Sequence, residues 1–349
     1  MTRTSIRLQA STTLRRQHGR ATSSTPAPAT SPRTGSGATV RIGVDIGGTK
    51  THIATVAHGG RNDDIIPTST WRSHLDDILE EDMARLARLV NEHITPSHKA
   101  AVCLGMHGCD TEQQLRNANH WLASRINGTA LAINDAELVG HAAGLEHSIS
   151  LILGTGAVSV GRTKNDEFLR ADGYGWLLGD YGSAPALIRD AVTALMHHAI
   201  TDGEDNAERD PLYRLLASHF HTHSIIDLAL AFTASAGETA WGSLAPILFD
   251  AHDAKSPIAE EIIGTSIDHI VESILSVKSR GAIGETVVAA GGVITHQPSF
   301  AQRIATTLNG RTAGALTMRI LDGDPVDGAL TVAGKLTPKI RRAAEPARK

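Results

Sequence analysis

At 349 residues the chain exceeds the usual size of one hydrophobic core, and 41% apolar residues are enough to fill two globular domains. No run of about 18 uncharged apolar residues occurs, which excludes a membrane-spanning helix. Cys103 and Cys109 are the only cysteines. No disulfide framework is therefore expected, and both read as packing residues in a reducing compartment.

Residues 1–38 form a basic tail with the six arginines Arg3, Arg7, Arg15, Arg16, Arg20 and Arg33 and no acidic residue. Ser, Thr, Ala and Pro dominate the rest, so disorder is expected. Arg-rich, Ser-rich and acid-poor is also the composition of an organellar targeting segment, and a bacterial leader or a misassigned start looks the same. Setting those six aside leaves 27 basic against 37 acidic residues. A nucleic-acid-binding surface is not implied.

The body opens with two strands, 41–45 and 52–57, joined by the Gly47-Gly48-Thr49 bend as a hairpin. Neither the spacing of a Walker A loop nor that of a dinucleotide fold occurs there. Apolar residues at steps of three and four predict a helix over 75–94, with Ser73 and Asp76 spaced as a capping box. Short buried strands are expected at 101–104 and 130–133, the second leading through Asn134-Asp135 into a helix near 136–143. Residues 150–162 again read strand, turn, strand, so a second half begins here. Ser183 and Pro185 open a helix to Ile200, and helices continue to Ser279. A strand at 286–290 ends on Gly291-Gly292, a helix follows over 298–308, and a closing helix covers 329–335.

Three glycine-rich turns stand in order: GVDIGGTKT (43–51), LILGTGAVSVG (151–161) and VVAAGGVI (287–294). Each lets backbone N–H groups face a phosphate without a Cβ in the way. Between and after the first two lie Asp135 at a strand end and DGYGWLLGDYGS (172–183). Together they point to phosphoryl transfer.

These five motifs in this order resemble the sugar kinase, heat-shock protein and actin superfamily, and within it the N-acetylglucosamine and glucosamine kinases of the BadF/BadG/BcrA type, over residues 41–334. The resemblance implies an α/β fold with two ribonuclease-H-like (actin-like ATPase) domains hinged around a nucleotide cleft. The expected division is 39–145, 146–325 with a helical insertion, and a last helix at about 326–345 packing back on the first domain. ATP and Mg²⁺ are the implied cofactors and an amino sugar the implied partner. Cytoplasmic location fits, a homodimer is the arrangement that analogy offers, and neither nucleic acid nor membrane is expected.

The resemblance also implies roles. Asp45 occupies the Mg²⁺ position; a strand-end Asp supporting the turn is the plainer alternative. Gly47, Gly48, Thr49 and Lys50 surround the transferred phosphoryl group. Gly154, Thr155 and Gly156 form the second phosphate turn, and Gly291 and Gly292 lie under adenine and ribose. Asp135 matches the catalytic base, a role requiring a carboxylate beside the attacking hydroxyl; a helix N-cap is the competing reading. Asn134 is a sugar-hydroxyl partner or a strand-end cap. Asp180 matches an acidic residue facing sugar hydroxyls, but Tyr181 stands where Glu is usual. His107 replaces a small hydroxyl residue and, with Trp71, is expected at the sugar rim unless buried. The alternation of His219, His221 and His223 invites a metal reading that the helix-end surroundings disfavour. Two rivals are a non-catalytic sensor on this fold and the ATPase activator of a radical enzyme, which needs cluster-binding cysteines.

Overall fold

The structure is a computed structural model that describes residues 39–73, 79–95 and 98–337. The expectation of a disordered tail over residues 1–38 lies outside them. The described residues group into one compact unit. It holds two five-stranded sheets. The first contains β1 (Thr39–Ile46), β2 (Lys50–Ala57), β3 (Gly60–Pro67), β4 (Lys99–Met106) and β5 (Thr129–Asn134). The second contains β6 (Ile149–Leu153), β7 (Ala157–Arg162), β8 (Phe168–Asp172), β9 (Thr286–Ala290) and β10 (Thr317–Ile320).

The two sheets share one topology. The orders are β3-β2-β1-β4-β5 and β10-β9-β6-β7-β8. In each, three antiparallel strands come first in the chain, and two later strands add in parallel beside the first of them. This is the ribonuclease-H arrangement, stated twice.

Period-two burial explains the layering of the first sheet. Val40, Ile42, Val44 and Ile46 of β1 and Ala100, Val102, Leu104 and Met106 of β4 pack with Met83, Leu86, Val90, Leu115 and Leu122 from the helices Glu80–Glu92 and Glu112–Arg125. On the opposite face Cys103 and Ile133 meet Leu138, Ala329, Val332 and Ala333. The last of these belong to the helix Pro325–Lys335, which lies so close to β1 that a Cβ on Gly43 would stand 2.7 Å from the Leu330 nitrogen. Only glycine permits that approach.

The larger core sits on the second sheet. The helices Ala184–Thr201 and Pro257–Ser279 cover it through Leu187, Ile188, Leu195, Ile267, Ile270 and Ile274. Ser183 and Ser256 cap them, accepting from Ala186 N at 3.3 Å and Ala259 N at 3.0 Å. Proline in the first turn completes both starts.

Four features depart from the sequence reading. The helix expected over 75–94 begins at Glu80 with Leu79 as an N-cap that makes no side-chain bond. Ser73 does not form the capping box; its N–H and hydroxyl instead donate to Asp82 Oδ1 at 3.1 and 3.0 Å, and Asp76 lies outside the described residues. The capped helix is Glu112–Arg125, where Thr111 and Gln114 form the reciprocal box. Strands β3, β8 and β10 were not anticipated. Among the described residues no helix is long and apolar enough to cross a membrane.

Candidate active site

Three parallel neighbours deliver the central residues to one edge. In β1, β4 and β5 the register pairs Asp45 with Gly105, Ile46 with Met106 and Met106 with Asn134. Asp45, His107 and Asp135 therefore stand side by side at the carboxyl ends of the strands, where open α/β sheets carry their ligands. Geometry and charge agree. His107 Nδ1 lies 3.4 Å from Asp135 Oδ2. Burial pushes the Asp45 carboxyl up to about 7, and the Asp135 charge adds to the push; Lys50 and His107 pull it back, while Asp324 raises it further. Burial and a neighbouring negative charge both disfavour an ionised Asp45, and a nearby cation would oppose that.

The first glycine turn is braced from below. Gly47 N–H donates to the Lys50 carbonyl at 3.0 Å, closing the bend of the β1–β2 hairpin. Its own carbonyl accepts the Thr68 hydroxyl at 2.9 Å, Thr68 lies 3.0 Å from the Thr51 hydroxyl, and Trp71 Nε1 donates to Thr51 at 2.9 Å. Thr68 N–H also donates to the Thr49 carbonyl at 2.9 Å. Gly48, Thr49 and Lys50 are left at the apex, the last two exposed.

This chain of bonds corrects one expectation. Trp71 is 4% exposed and packs in the first core with its indole N–H spent on Thr51. It supports the turn and does not line a sugar rim. Of the two readings of Asn134, its contacts fit the strand-end one. At 2% exposure, its amide donates to the Cys109 carbonyl at 3.0 Å and to Asp110 Oδ1 at 3.2 Å, and its Oδ1 accepts Ala136 N–H at 3.0 Å. All its polar atoms are engaged within the protein, which leaves it a strand-end staple. Asp135 is not an N-cap. The helix Glu137–Ala142 starts one residue later from Ala136, and the Asp135 side chain keeps Oδ2 for His107 while Oδ1 accepts Ala136 N–H at 3.1 Å.

The second and third turns meet at the matching edge of the second sheet. β6 and β9 are parallel and pair Ile152 with Ala290. Gly154 and Gly291 follow directly, and a Cβ on Gly154 would stand 3.5 Å from Gly292 N. Gly291 has φ +111°, and a Cβ there would lie 2.4 Å from the Leu153 carbonyl oxygen, so no other residue fits. A cavity of about 300 Å³ opens beside them, lined by Gly154, Thr155, Gly292, Phe249, His296 and Gln297. Glycine backbone and the apolar Phe249 are among its lining.

Asp180 gathers at the second turn. It is 5% exposed, with φ +56°, a left-handed conformation that Asp tolerates. Its Oδ1 accepts Gly175 N–H at 2.9 Å, and its Oδ2 would lie 3.3 Å from a Cβ on Gly156. Burial pushes its carboxyl up to about 6. Asp172, φ +64°, holds the segment by accepting Asp180 N–H at 2.8 Å and Tyr181 N–H at 2.9 Å. The Tyr181 ring stacks on His269 at 4.0 Å between centroids.

Several residues at or behind the site were not singled out in the sequence. Arg72, 5% exposed, donates to the His107 carbonyl at 2.9 Å. Glu137, buried two residues after Asp135, accepts Asn134 N–H at 3.1 Å and a two-point contact from Arg162 of β7 at 2.5 and 3.0 Å. Burial raises its carboxyl although Arg162 pulls the other way. Asp324, which precedes the proline opening the last helix, was legible only as a helix start. A second cavity of about 670 Å³ opens beside Glu137, His141, Ser150, Arg162 and Lys335. It is the larger of the two cavities. Cys103 and Cys109 are free and buried, and burial pushes both thiols up, Cys109 to about 12. Both are packing residues of the interior, each 0% exposed. His221 is the left-handed C-cap of the helix Pro211–Phe220, and among the described residues no group of three or more His, Cys, Asp or Glu is placed to hold a metal.

Two ribonuclease-H-like sheets with glycine turns at corresponding strand ends define the actin-like ATPase fold of sugar kinases. No protein-family model matches the chain. It is 24% identical over 254 residues to the N-acetyl-D-glucosamine kinase of Dictyostelium discoideum, covering 68% of this chain and 78% of that one. It is 24% identical over 271 residues to the N-acetylmuramic acid/N-acetylglucosamine kinase of Clostridium acetobutylicum, covering 73% and 85%. Its fold is similar to that of a candidate N-acetylglucosamine kinase from Chromobacterium violaceum, with a TM-score of 0.59 at 20% identity over 84% of this chain and 98% of that one. The chain is thus similar, over about two thirds or more of its length, to two kinases of N-acetylated amino sugars, and it shares the fold of a third such candidate.

Proposed function

We propose that the protein transfers the γ-phosphoryl group of ATP to O6 of glucosamine or N-acetylglucosamine, with Asp135 as general base. The observation that carries this reading is the alignment of Asp45, His107 and Asp135 at adjacent strand ends beside the first glycine turn. The activities named for the two relatives supply the substrate class.

Asp135 takes the O6 proton through the carboxylate edge that faces His107. Gly48, Thr49 and Lys50 at the apex of the first turn hold the transferring group, and Gly154, Thr155 and Gly156 the phosphates behind it. Asp45 fits a hydrated Mg²⁺, because its raised carboxyl lies under the Asp135 charge and a divalent cation relieves both. When bound, the metal neutralises charge on the phosphate oxygens. The two sheets belong in this reading to domains at 39–145 and 146–325 that close over the sugar and exclude water.

An ADP-release screen over hexoses, amino sugars and their N-acetyl forms tests the reading. Turnover above the sugar-free ATPase rate only with amino sugars supports it; the same low rate with every sugar rejects it.

A further inference from the structure

His107 is held in a way that gives its two ring nitrogens different work. Its backbone extends the β1–β4 ladder by one step, the N–H donating to the Ile46 carbonyl at 3.0 Å and the carbonyl accepting Arg72 at 2.9 Å. With the main chain fixed on both sides, the imidazole leans between two catalytic parts. Nδ1 faces Asp135 Oδ2 at 3.4 Å. Nε2 faces the first glycine turn, 3.7 Å from where a Cβ on Gly48 would stand. The side chain is 46% exposed.

A carboxylate only accepts, so the nitrogen facing Asp135 carries a proton. The Asp135 carboxylate also raises the His107 pKa, ahead of the opposing effect of burial. Arg72 acts the other way and Asp110 adds to the rise. A doubly protonated ring in this position is a cationic donor aimed at the site of the transferring group.

We propose that His107 is a second catalytic residue of the transfer, its Nε2–H contacting the phosphoryl oxygens at the first glycine turn while Nδ1–H orients Asp135. This rests on the kinase reading above. In the step, the O6–H bond breaks and its proton goes to Asp135. O6 bonds to the γ-phosphorus, the bond from that phosphorus to the bridging oxygen breaks, and ADP leaves with the electron pair. His107 keeps both protons throughout and contributes charge where charge develops.

The test compares wild type, His107→Ala, His107→Gln and Asp135→Asn. Turnover, both KM values and the affinity for ADP with aluminium fluoride and sugar are measured, after melting temperatures show that each variant folds. The expected result for His107→Ala is a kcat loss of about 10²-fold, the size seen when one preorganised donor to developing charge is removed. KM for sugar should stay within about twofold, affinity for the ADP–fluoride mimic should fall far more than affinity for ATP, and added imidazole should restore part of the rate. His107→Gln, a donor without charge, should fall between. A raised sugar KM with unchanged kcat would make His107 a sugar contact and overturn the proposal, as would wild-type rates in both His107 variants. A wild-type enzyme that shows no turnover above its sugar-free ATPase rate with any sugar would instead sink the kinase reading, so the two failures are distinguishable.

Discussion

Asp135→Asn replaces one carboxylate oxygen by an amide nitrogen at constant shape. Asn Oδ1 keeps the 3.1 Å bond from Ala136 N–H, so the turn into the helix Glu137–Ala142 should hold. The other edge changes sign: an NH₂ donor now faces His107 Nδ1, itself a donor at 3.4 Å, and the site loses its proton acceptor. General-base removal costs about 10² to 10⁴-fold, or roughly 2.7–5.5 kcal/mol of transition-state stabilisation. Ground-state binding should survive, because Asp135 raises the Asp45 carboxyl and its neutralisation leaves Asp45 more readily ionised. The checks are coupled ADP release for turnover, calorimetry for ATP and sugar binding, and a melting curve for the fold. Turnover within a fewfold of wild type in a folded variant would remove Asp135 from the mechanism.

Three other outcomes follow from the same geometry. Asp45 has a folded pKa of about 7, above its unfolded 3.8, so its contribution to stability is complete below pH 3.8 and is lost as pH rises through 7. Asp45→Asn should therefore raise the melting temperature of the ligand-free protein at pH 8 by about 2–4 °C, worth about 1 kcal/mol, while abolishing turnover; a lower melting temperature at pH 8 would contradict this. Arg162→Ala should lower unfolding free energy by about 3–5 kcal/mol in urea titration, because Glu137 is left buried without its partner; a loss under 1 kcal/mol would show that water replaces the guanidinium. Tyr181→Glu should change the ratio of kcat/KM for glucosamine and N-acetylglucosamine by more than it changes KM for ATP, measured in parallel assays; equal changes would make Tyr181 a structural residue stacked on His269.

The hairpins β1–β2 and β6–β7 were legible because each joins strongly apolar runs across a glycine turn, a pattern that needs no tertiary information. The strand β3, GRNDDIIP, was not. It is a mostly exposed edge strand whose polar residues satisfy the ladder without a buried face, so periodicity carries no signal. The helix Glu112–Arg125 buries only Leu115, Ala118 and Leu122, too sparse a stripe to stand out, although Thr111 and Gln114 already spelled its capping box. Ser73 with Asp76 had comparable spacing and no such outcome. Local caps are thus necessary clues that tertiary partners can override, as Asp82 does by taking both Ser73 donors.

Site residues divide along a similar line. Asp45 and Asp135 could be chosen because each ends an apolar strand, and parallel neighbours bring such ends to one edge whatever the loops do. The fate of a polar atom cannot be read that way. Trp71 and Asn134 have the chemistry of sugar contacts, but Thr51 and the Cys109 carbonyl absorb their donors, and only the fold, including the β4–β5 register, brings those acceptors within 3.0 Å. His107 shows the converse. In sequence it is a histidine after a buried strand, equally suited to a core hydrogen bond. One step of β1–β4 pairing beyond Met106 sets its ring between Asp135 and the first glycine turn. A residue whose two nitrogens have separate targets cannot be exchanged for Ser without losing both, so selection among sugars and rate of transfer should respond differently to His107 and Tyr181: kcat to the first, the ratio between sugars to the second.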